Sequence, residues 1–224
     1  MPDQISLVTR LNKTYVPVTS TQQLVYALIT AKPGETVSQS RMRVNFGFVL
    51  DRSGSMRGHK IDRLIEAVQL ALKKVNADDL IAVTVFNDTA KVIAPSAPMV
   101  DQRLLAEQVS RIRAGGGTQM SRGLSLGLRE VYRHFDGSRV NQVILLTDGQ
   151  TYGDEEQCLR LAKEAGEHHI AIQAFGLGSD WNEDLLDEMS RRSGGTSDLI
   201  ETADEIVPLF GQTVERLQKA VVRN

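Results

Sequence analysis

The sequence is poor in the groups that build several common kinds of site. It holds one cysteine, Cys158, so no disulfide can form within the chain and no cysteine cluster can hold a metal. His168 and His169 precede an apolar run, and neither has a second histidine four residues on, which argues against a helical zinc pair. No Gly-x-Gly-x-x-Gly follows an apolar run, and there is no P-loop. No histidine stands at a strand end where a serine hydrolase would need its base. No stretch approaches the roughly 18 consecutive apolar residues of a membrane span. Residues 1–10 include Asp3 and Gln4 and lack the apolar run of a secretory signal. The formal net charge of −2 gives no general reason to bind nucleic acid or anionic membranes. A soluble, cytoplasmic protein is the expectation. The alternative is a domain cut from a larger exported protein.

What is present is ordinary apolar content in 224 residues, enough for one α/β domain and a small appendage. From residue 43 onward, short apolar runs alternate with helical patterns. Residues 43–50 read as a strand covered on both faces. Ile61, Leu64, Ile65, Val68, Leu72 and Val75 form one stripe of a helix over 60–75. Residues 80–86 and 90–94 read as strands around the turn Asn87-Asp88-Thr89, so one strand runs antiparallel. Helices follow over 101–113 and 121–135, then a strand over 140–147 and a helix over 154–166. A strand over 170–177, a helix over 183–192 ended by Gly194-Gly195, a strand over 196–201 and a helix over 204–222 complete the pattern. Alternation of this kind predicts an α/β fold with a doubly wound, mostly parallel sheet and helices on both faces.

Residues 1–40 differ. Residues 5–11 and 22–30 read as strands with no helix after either. An isolated strand pair is marginal in water, so this extension packs on the main sheet, pairs with another chain, or is half of a β-domain completed elsewhere. The expected division is 1–40 and 41–224.

Three motifs carry chemistry. Asp51-Arg52-Ser53-Gly54-Ser55 follows the apolar run 46–50. Gly115-Gly116-Gly117-Thr118 precedes a helix, and Thr147-Asp148-Gly149 follows the apolar run 143–146. Asp51 and Asp148 therefore stand at the carboxyl ends of parallel strands, the edge at which open α/β sheets bind ligands. Two carboxylates with the hydroxyls of Ser53, Ser55 and Thr118 suit a hard cation, Mg²⁺ first, with Mn²⁺ or Ca²⁺ as alternatives. Gly54 lets the backbone turn, and Gly115 to Gly117 let the loop carrying Thr118 approach. Five donors leave an open position that a partner's Asp or Glu can fill. Taken singly, the serines read equally as turn or cap residues, Thr118 as a cap and Asp148-Gly149 as a turn pair. Their shared sheet edge separates the readings.

Val49-Leu50-Asp51-Arg52-Ser53-Gly54-Ser55-Met56 resembles the opening motif of the von Willebrand factor type A family. Gly116-Gly117-Thr118 and Leu146-Thr147-Asp148-Gly149 resemble its second and third motifs, in order. The resemblance spans about residues 42–222. It implies strand order 3-2-1-4-5-6 with the third strand antiparallel. It also implies a metal-ion-dependent adhesion site with Asp51, Ser53, Ser55, Thr118 and Asp148 as ligands. The function it implies is a non-enzymatic, metal-dependent protein-binding module. A regulatory or assembly subunit of an ATPase or chelatase machine is the alternative, and a metal-dependent hydrolase a more remote one. Asp51-Arg52-Ser53 lacks the second carboxylate of a phosphatase Asp-x-Asp, and no general base is evident beside the ligands.

Arg52, Arg57 and Lys60 make the rim of this edge locally positive, which suits a carboxylate-bearing partner. Arg57, Tyr152 and Trp181 are the expected partner-binding residues, the two aromatics being common interface anchors. Trp181 reads equally as packing at a helix start, and the basic cluster equally as a solvated face. Cys158 is expected to be packed, and His59 to lie on the surface.

Overall fold

The computed structural model describes residues 5–13, 15, 18, 22–33, 42–99, 101–149, 151, 153–179 and 181–218. The chain divides into two compact units, one built on the first 42 residues and one spanning Arg43–Gln218. In the first, β1 (Ile5–Leu11) and β2 (Ala27–Pro33) form an antiparallel ribbon. The second strand starts later than its composition predicts. Pairing sets its start, because Leu11 faces Ala27 and Asn12 closes the ladder through both the amide and the carbonyl of Tyr26. Leu7, Leu28 and Ile29 are exposed on this ribbon.

The larger unit runs β3 (Val44–Asp51), α1 (His59–Leu72), β4 (Leu80–Phe86), β5 (Ala90–Pro98), α2 (Gln102–Ser110), α3 (Met120–Arg133), β6 (Val140–Thr147), α4 (Glu155–Glu167), β7 (Ala171–Leu177), α5 (Glu183–Ser193), β8 (Ser197–Ile200) and α6 (Ile206–Gln218). Its sheet has the order β5-β4-β3-β6-β7-β8. Only β5 is antiparallel to its neighbour. Numbered within this unit the order is 3-2-1-4-5-6, as the family resemblance implies. β5 extends beyond Ala94 to Pro98 because its pairing with β4 continues past an irregularity at Ile81 and Val83. Its prolines are tolerated because it is an edge strand. The last helix begins after a 3₁₀ turn at Ala203–Glu205, and residues 219–222 of its expected span lie outside the described residues.

β3 and β4 are buried along their whole length, as their largely apolar runs require, with Asn45, Asp51 and Thr84 the polar residues among them. Successive side chains of β3 point to opposite faces. Phe46, Phe48 and Leu50 join Leu64, Val68 and Phe210 in one core. Val49 points the other way, into a second core that includes Leu124, Val131 and Met189. Phe48 and Phe175 both pack on Phe210, with ring centroids 5.3 and 5.9 Å away. Cys158 is buried in the second core. Burial, with help from the charges of Asp154 and Glu155, pushes its thiol well above the ordinary range, so it stays protonated. Among the described residues, no helix is long and apolar enough to cross a membrane.

α3 lies unusually close to the sheet because two of its core-facing positions are glycine. A Cβ on Gly127 would stand 2.1 Å from Val49 Cγ2, and one on Gly123 would stand 2.5–2.7 Å from three atoms of Phe86. This closeness holds the amino end of α3, and Thr118 just before it, against the carboxyl edge of the sheet. Gly123→Val is expected to cost at least about 2 kcal/mol through overpacking. Gly137→Ala, which meets no neighbour, serves as the control. Urea unfolding of both checks this, and equal stability of Gly123→Val and the parent chain contradicts the close approach.

Candidate metal centre

β3 and β6 lie side by side in parallel register, Leu50 opposite Leu146, so both strands end at the same edge. Asp51 ends β3 with no exposed surface. Its Oδ2 accepts a hydrogen bond from the Thr147 hydroxyl at 2.5 Å, and its Oδ1 accepts one from the Ser53 amide at 2.7 Å. The second bond folds the chain back into the 3₁₀ turn Gly54–Met56. That turn presents the Ser53 and Ser55 hydroxyls 3.0 Å apart, and Ser55 donates to Asp148 Oδ1 at 2.7 Å.

The glycine loop is laced to this turn through its backbone. Gly54 N–H donates to the Gly116 carbonyl and Gly115 N–H to the Arg52 carbonyl, both at 2.8 Å. Gly116 has a φ of +87°, and a Cβ there would stand 2.3 Å from Asp88 Oδ2, so only glycine fits. The loop delivers Thr118 to the site. A Cβ on Gly149 would lie 3.5 Å from Thr118 Oγ1 and 3.8 Å from Ser55 Oγ, so all three loops meet beside Asp148. Asp51, Ser53, Ser55, Thr118 and Asp148 are thus brought together.

Several residues that shape this edge escaped the sequence reading. Thr147 belongs to the third motif, and its hydroxyl is a direct partner of Asp51. Asn87 and Asp88 read as a simple turn, but both hold the glycine loop. Asn87 Nδ2 donates to the Gly115 carbonyl at 2.6 Å, the Gln119 amide donates to the Asn87 carbonyl at 2.9 Å, and Gly117 N–H donates to Asp88 Oδ2 at 2.8 Å. The turn's place at a strand end on the same edge was the available signal. Thr151 and Asp154 accept from the amides of Met120 and Ser121 at 3.1 and 2.8 Å and so fix the start of α3. Lys60, in the first turn of α1, forms an ion pair with Asp148 Oδ2.

The expected rim is partly visible. Arg57 is exposed, and its guanidinium lies 3.8 Å from the Cβ position of Gly115. Trp181 is half-buried, its ring laid over Gly176 at the end of β7, where a Cβ would stand 2.2 Å from it. Tyr152 lies outside the described residues. His59 pairs with Asp204 at 3.0 Å, beside Arg63.

Burial pushes the Asp51 carboxyl up to about 6, and the nearby Asp148 charge adds to this. The hydrogen bonds from Thr147 and Ser53 oppose the rise without cancelling it. A divalent cation would supply the missing compensation. The donors fit one: two carboxylates and three hydroxyls make a hard, oxygen-only set. Among the described residues, no group of three or more His, Cys, Asp or Glu side chains is placed to hold a metal, so the hydroxyls are essential to the fit.

In chelator, the folded chain keeps a proton on Asp51 between the ordinary value of 3.8 and about 6, where the unfolded chain has lost it. Stability should therefore fall as pH rises through this window, by about 3 kcal/mol, and then level off. Asp51→Asn keeps an oxygen for the Ser53 amide and removes the charge. It is expected to flatten the slope and to make the chelated protein more stable than the parent near neutral pH. Urea unfolding across this pH range checks both, and an unchanged slope in the variant contradicts the assignment.

A family model for the von Willebrand factor type A domain matches residues 45–208. The chain is 30% identical over 207 residues to "Uncharacterized protein sll0103" of Synechocystis, covering 92% of this chain and 48% of that protein. It is 31% identical over 180 residues to "Inter alpha-trypsin inhibitor, heavy chain 4" of Mus musculus, covering 75% of this chain and 19% of that one. The chain thus spans about half of the first of these relatives and a fifth of the second. Among solved structures, a von Willebrand factor type A protein from Catenulispora acidiphila superposes with a TM-score of 0.79 at 20% identity, covering 97% of this chain and 51% of that one. Proximal thread matrix protein 1 of the mussel byssus, with a zinc-occupied MIDAS motif, superposes with a TM-score of 0.64 at 15% identity, covering 78% and 48%. The family model covers well over half of the chain, so the chain belongs to the von Willebrand factor type A domain family.

Proposed function

We propose that this chain is a protein-interaction module that holds a divalent cation, Mg²⁺ by preference, and uses it to capture an Asp or Glu side chain of a partner protein. Asp51, Ser53, Ser55, Thr118 and Asp148 are the ligands, directly or through water. The cation would supply a positive charge with an open coordination position. The chain's own residues neutralise, orient and enclose it. The observation that carries the reading is the fully buried Asp51 carboxylate, which faces two serine hydroxyls and a second carboxylate at a solvent-reachable edge. The zinc held by the mussel protein supports a metal at the same motif.

Hard oxygen donors favour Mg²⁺ over zinc, which prefers nitrogen and sulfur. Lys60 stands on Asp148 as a built-in cation and must yield or share that carboxylate when a metal binds. The reading assigns no reaction to the site. Arg57, Tyr152 and Trp181 form the proposed partner rim, with Arg57 best placed beside the glycine loop.

Metal binding to the folded chain alone raises stability by about 2.7 kcal/mol at about 100 times Kd. For a domain of this size that moves Tm upward by roughly 5–10 °C. Titration of Mg²⁺ or Mn²⁺ into chelated protein, followed by thermal unfolding, checks this. Asp51→Ala is expected to abolish the rise, and an unchanged response in that variant rules out the ligand assignment. Lys60→Gln is expected to shift the titration to lower metal concentration. Partner capture is checked by metal-dependent pull-down, repeated with chelator and with Arg57→Ala.

A further inference from the structure

An open cavity of about 420 Å³ lies beside the metal edge, between the carboxyl end of α2 and strands β4 and β5. Its floor is apolar, with Val85 of β4, Ile93 of β5 and Ile112 beyond α2. Val85 pairs across the ladder with Lys91, and Ile93 lies two residues along on the same face. Its walls are cationic: Arg52, Lys91, Arg111 and Arg113 all line it.

The charge is largely uncompensated. Arg111 faces the carboxylate of Glu107 at 2.5 Å. Arg113 spends its guanidinium on the backbone carbonyls of Ser110 and Ile112, both at 2.7 Å, which leaves its charge unneutralised. Arg52 bonds the neutral Asn87 Oδ1 at 3.2 Å. Lys91 has no hydrogen bond or ion pair among the described residues. Among the described residues, three cations thus line an apolar floor without a carboxylate partner, on a chain whose net charge is −2. A cluster of like charges is unfavourable for the folded state, so its natural complement is an anion.

The cavity is also continuous with the metal edge. Arg52 stands between Asp51 and Ser53, and Arg113 comes shortly before the glycine loop that carries Thr118. The Gly115 amide donates to the Arg52 carbonyl at 2.8 Å and links the two walls. A partner held at the metal therefore has this cavity beside it, with Arg52 common to both.

We infer that this cavity is a second anchor site, which takes a short acidic peptide segment with an apolar side chain next to its carboxylates. The apolar side chain rests on Val85, Ile93 and Ile112, and the carboxylates face Arg52, Lys91 and Arg113. That the segment belongs to the metal-held partner rests on the metal-capture reading; the preference for an acidic, apolar peptide does not. A small inorganic anion would satisfy the walls and leave the floor wet, whereas the peptide satisfies both.

The test uses the full chain in chelator, so that the metal site is silent. The probes are a fluorescent peptide of alternating Asp and Leu, the same length of alternating Asp and Ser, and inorganic phosphate. The Asp-Leu probe is expected to bind, more weakly as salt rises. The Asp-Ser probe and phosphate should be much poorer ligands. Lys91→Glu combined with Arg113→Gln should weaken the Asp-Leu probe about tenfold or more. Lys163→Glu, on α4, should leave binding unchanged, and circular dichroism confirms that each variant is folded.

Phosphate competing as well as the Asp-Leu probe overturns the peptide assignment in favour of a general anion site. Absence of probe binding, or equal binding by the Lys91→Glu, Arg113→Gln variant, overturns the cavity itself and leaves the metal-capture reading standing. Probe binding in chelator without any thermal response to Mg²⁺ upholds the cavity and removes the metal-capture reading.

Discussion

A carboxylate is expensive to enclose, and Asp51 is enclosed completely at the point where two central strands end. Much of the edge is arranged around that cost. The Thr147 hydroxyl and the Ser53 amide each bond one carboxylate oxygen, yet the group still titrates at about 6. The remaining cost is one that a bound cation would offset. The same two bonds have structural effects. One ties β3 to the last residue of β6, and the other reverses the chain so that Ser53 and Ser55 face back toward Asp148.

The third loop is positioned by packing rather than by charge. Gly123 and Gly127 allow α3 to press against Phe86 and Val49, which fixes the height of the helix above the sheet. Thr151 and Asp154 then hold its first amides, while Asn87 and Asp88 hold the glycine loop from the other side. Thr118 is therefore as dependent on the core as any apolar residue. The position of the site is thus set by supporting residues that are not themselves candidate ligands.

Charge on this face is organised against the average. The chain is slightly acidic. The edge nonetheless gathers Arg52, Arg57 and Lys60, and the neighbouring cavity adds Lys91, Arg111 and Arg113. Net charge says little about where a partner of given sign will dock, because a cleft with low-dielectric walls responds to the groups that line it. Lys60 shows the same point at closer range. Its sequence position places it on a positive rim, facing either a partner's carboxylate or solvent, but the first turn of α1 carries it onto Asp148 of the chain itself.

The order of elements, the hairpin at Asn87-Asp88-Thr89 and the oxygen-only donor set were legible in the sequence. These depend on period-2 and period-3.6 patterns and on which residue types end a strand, all of which are local. The ribbon strand β2 was misplaced because its limits come from pairing with β1, a contact between distant segments. The extension of β5 to Pro98 was missed for the same reason. Sequence determined which oxygen-bearing residues stand at the carboxyl edge and which strand ends they occupy. Only the tertiary structure decided that Thr147 bonds Asp51, that Lys60 occupies Asp148, that Trp181 lies over Gly176, and that a basic cavity opens beside the metal edge. Each of these follows from side chains meeting across elements far apart in the chain, and periodicity reports the face a residue points to without naming what waits on the other side.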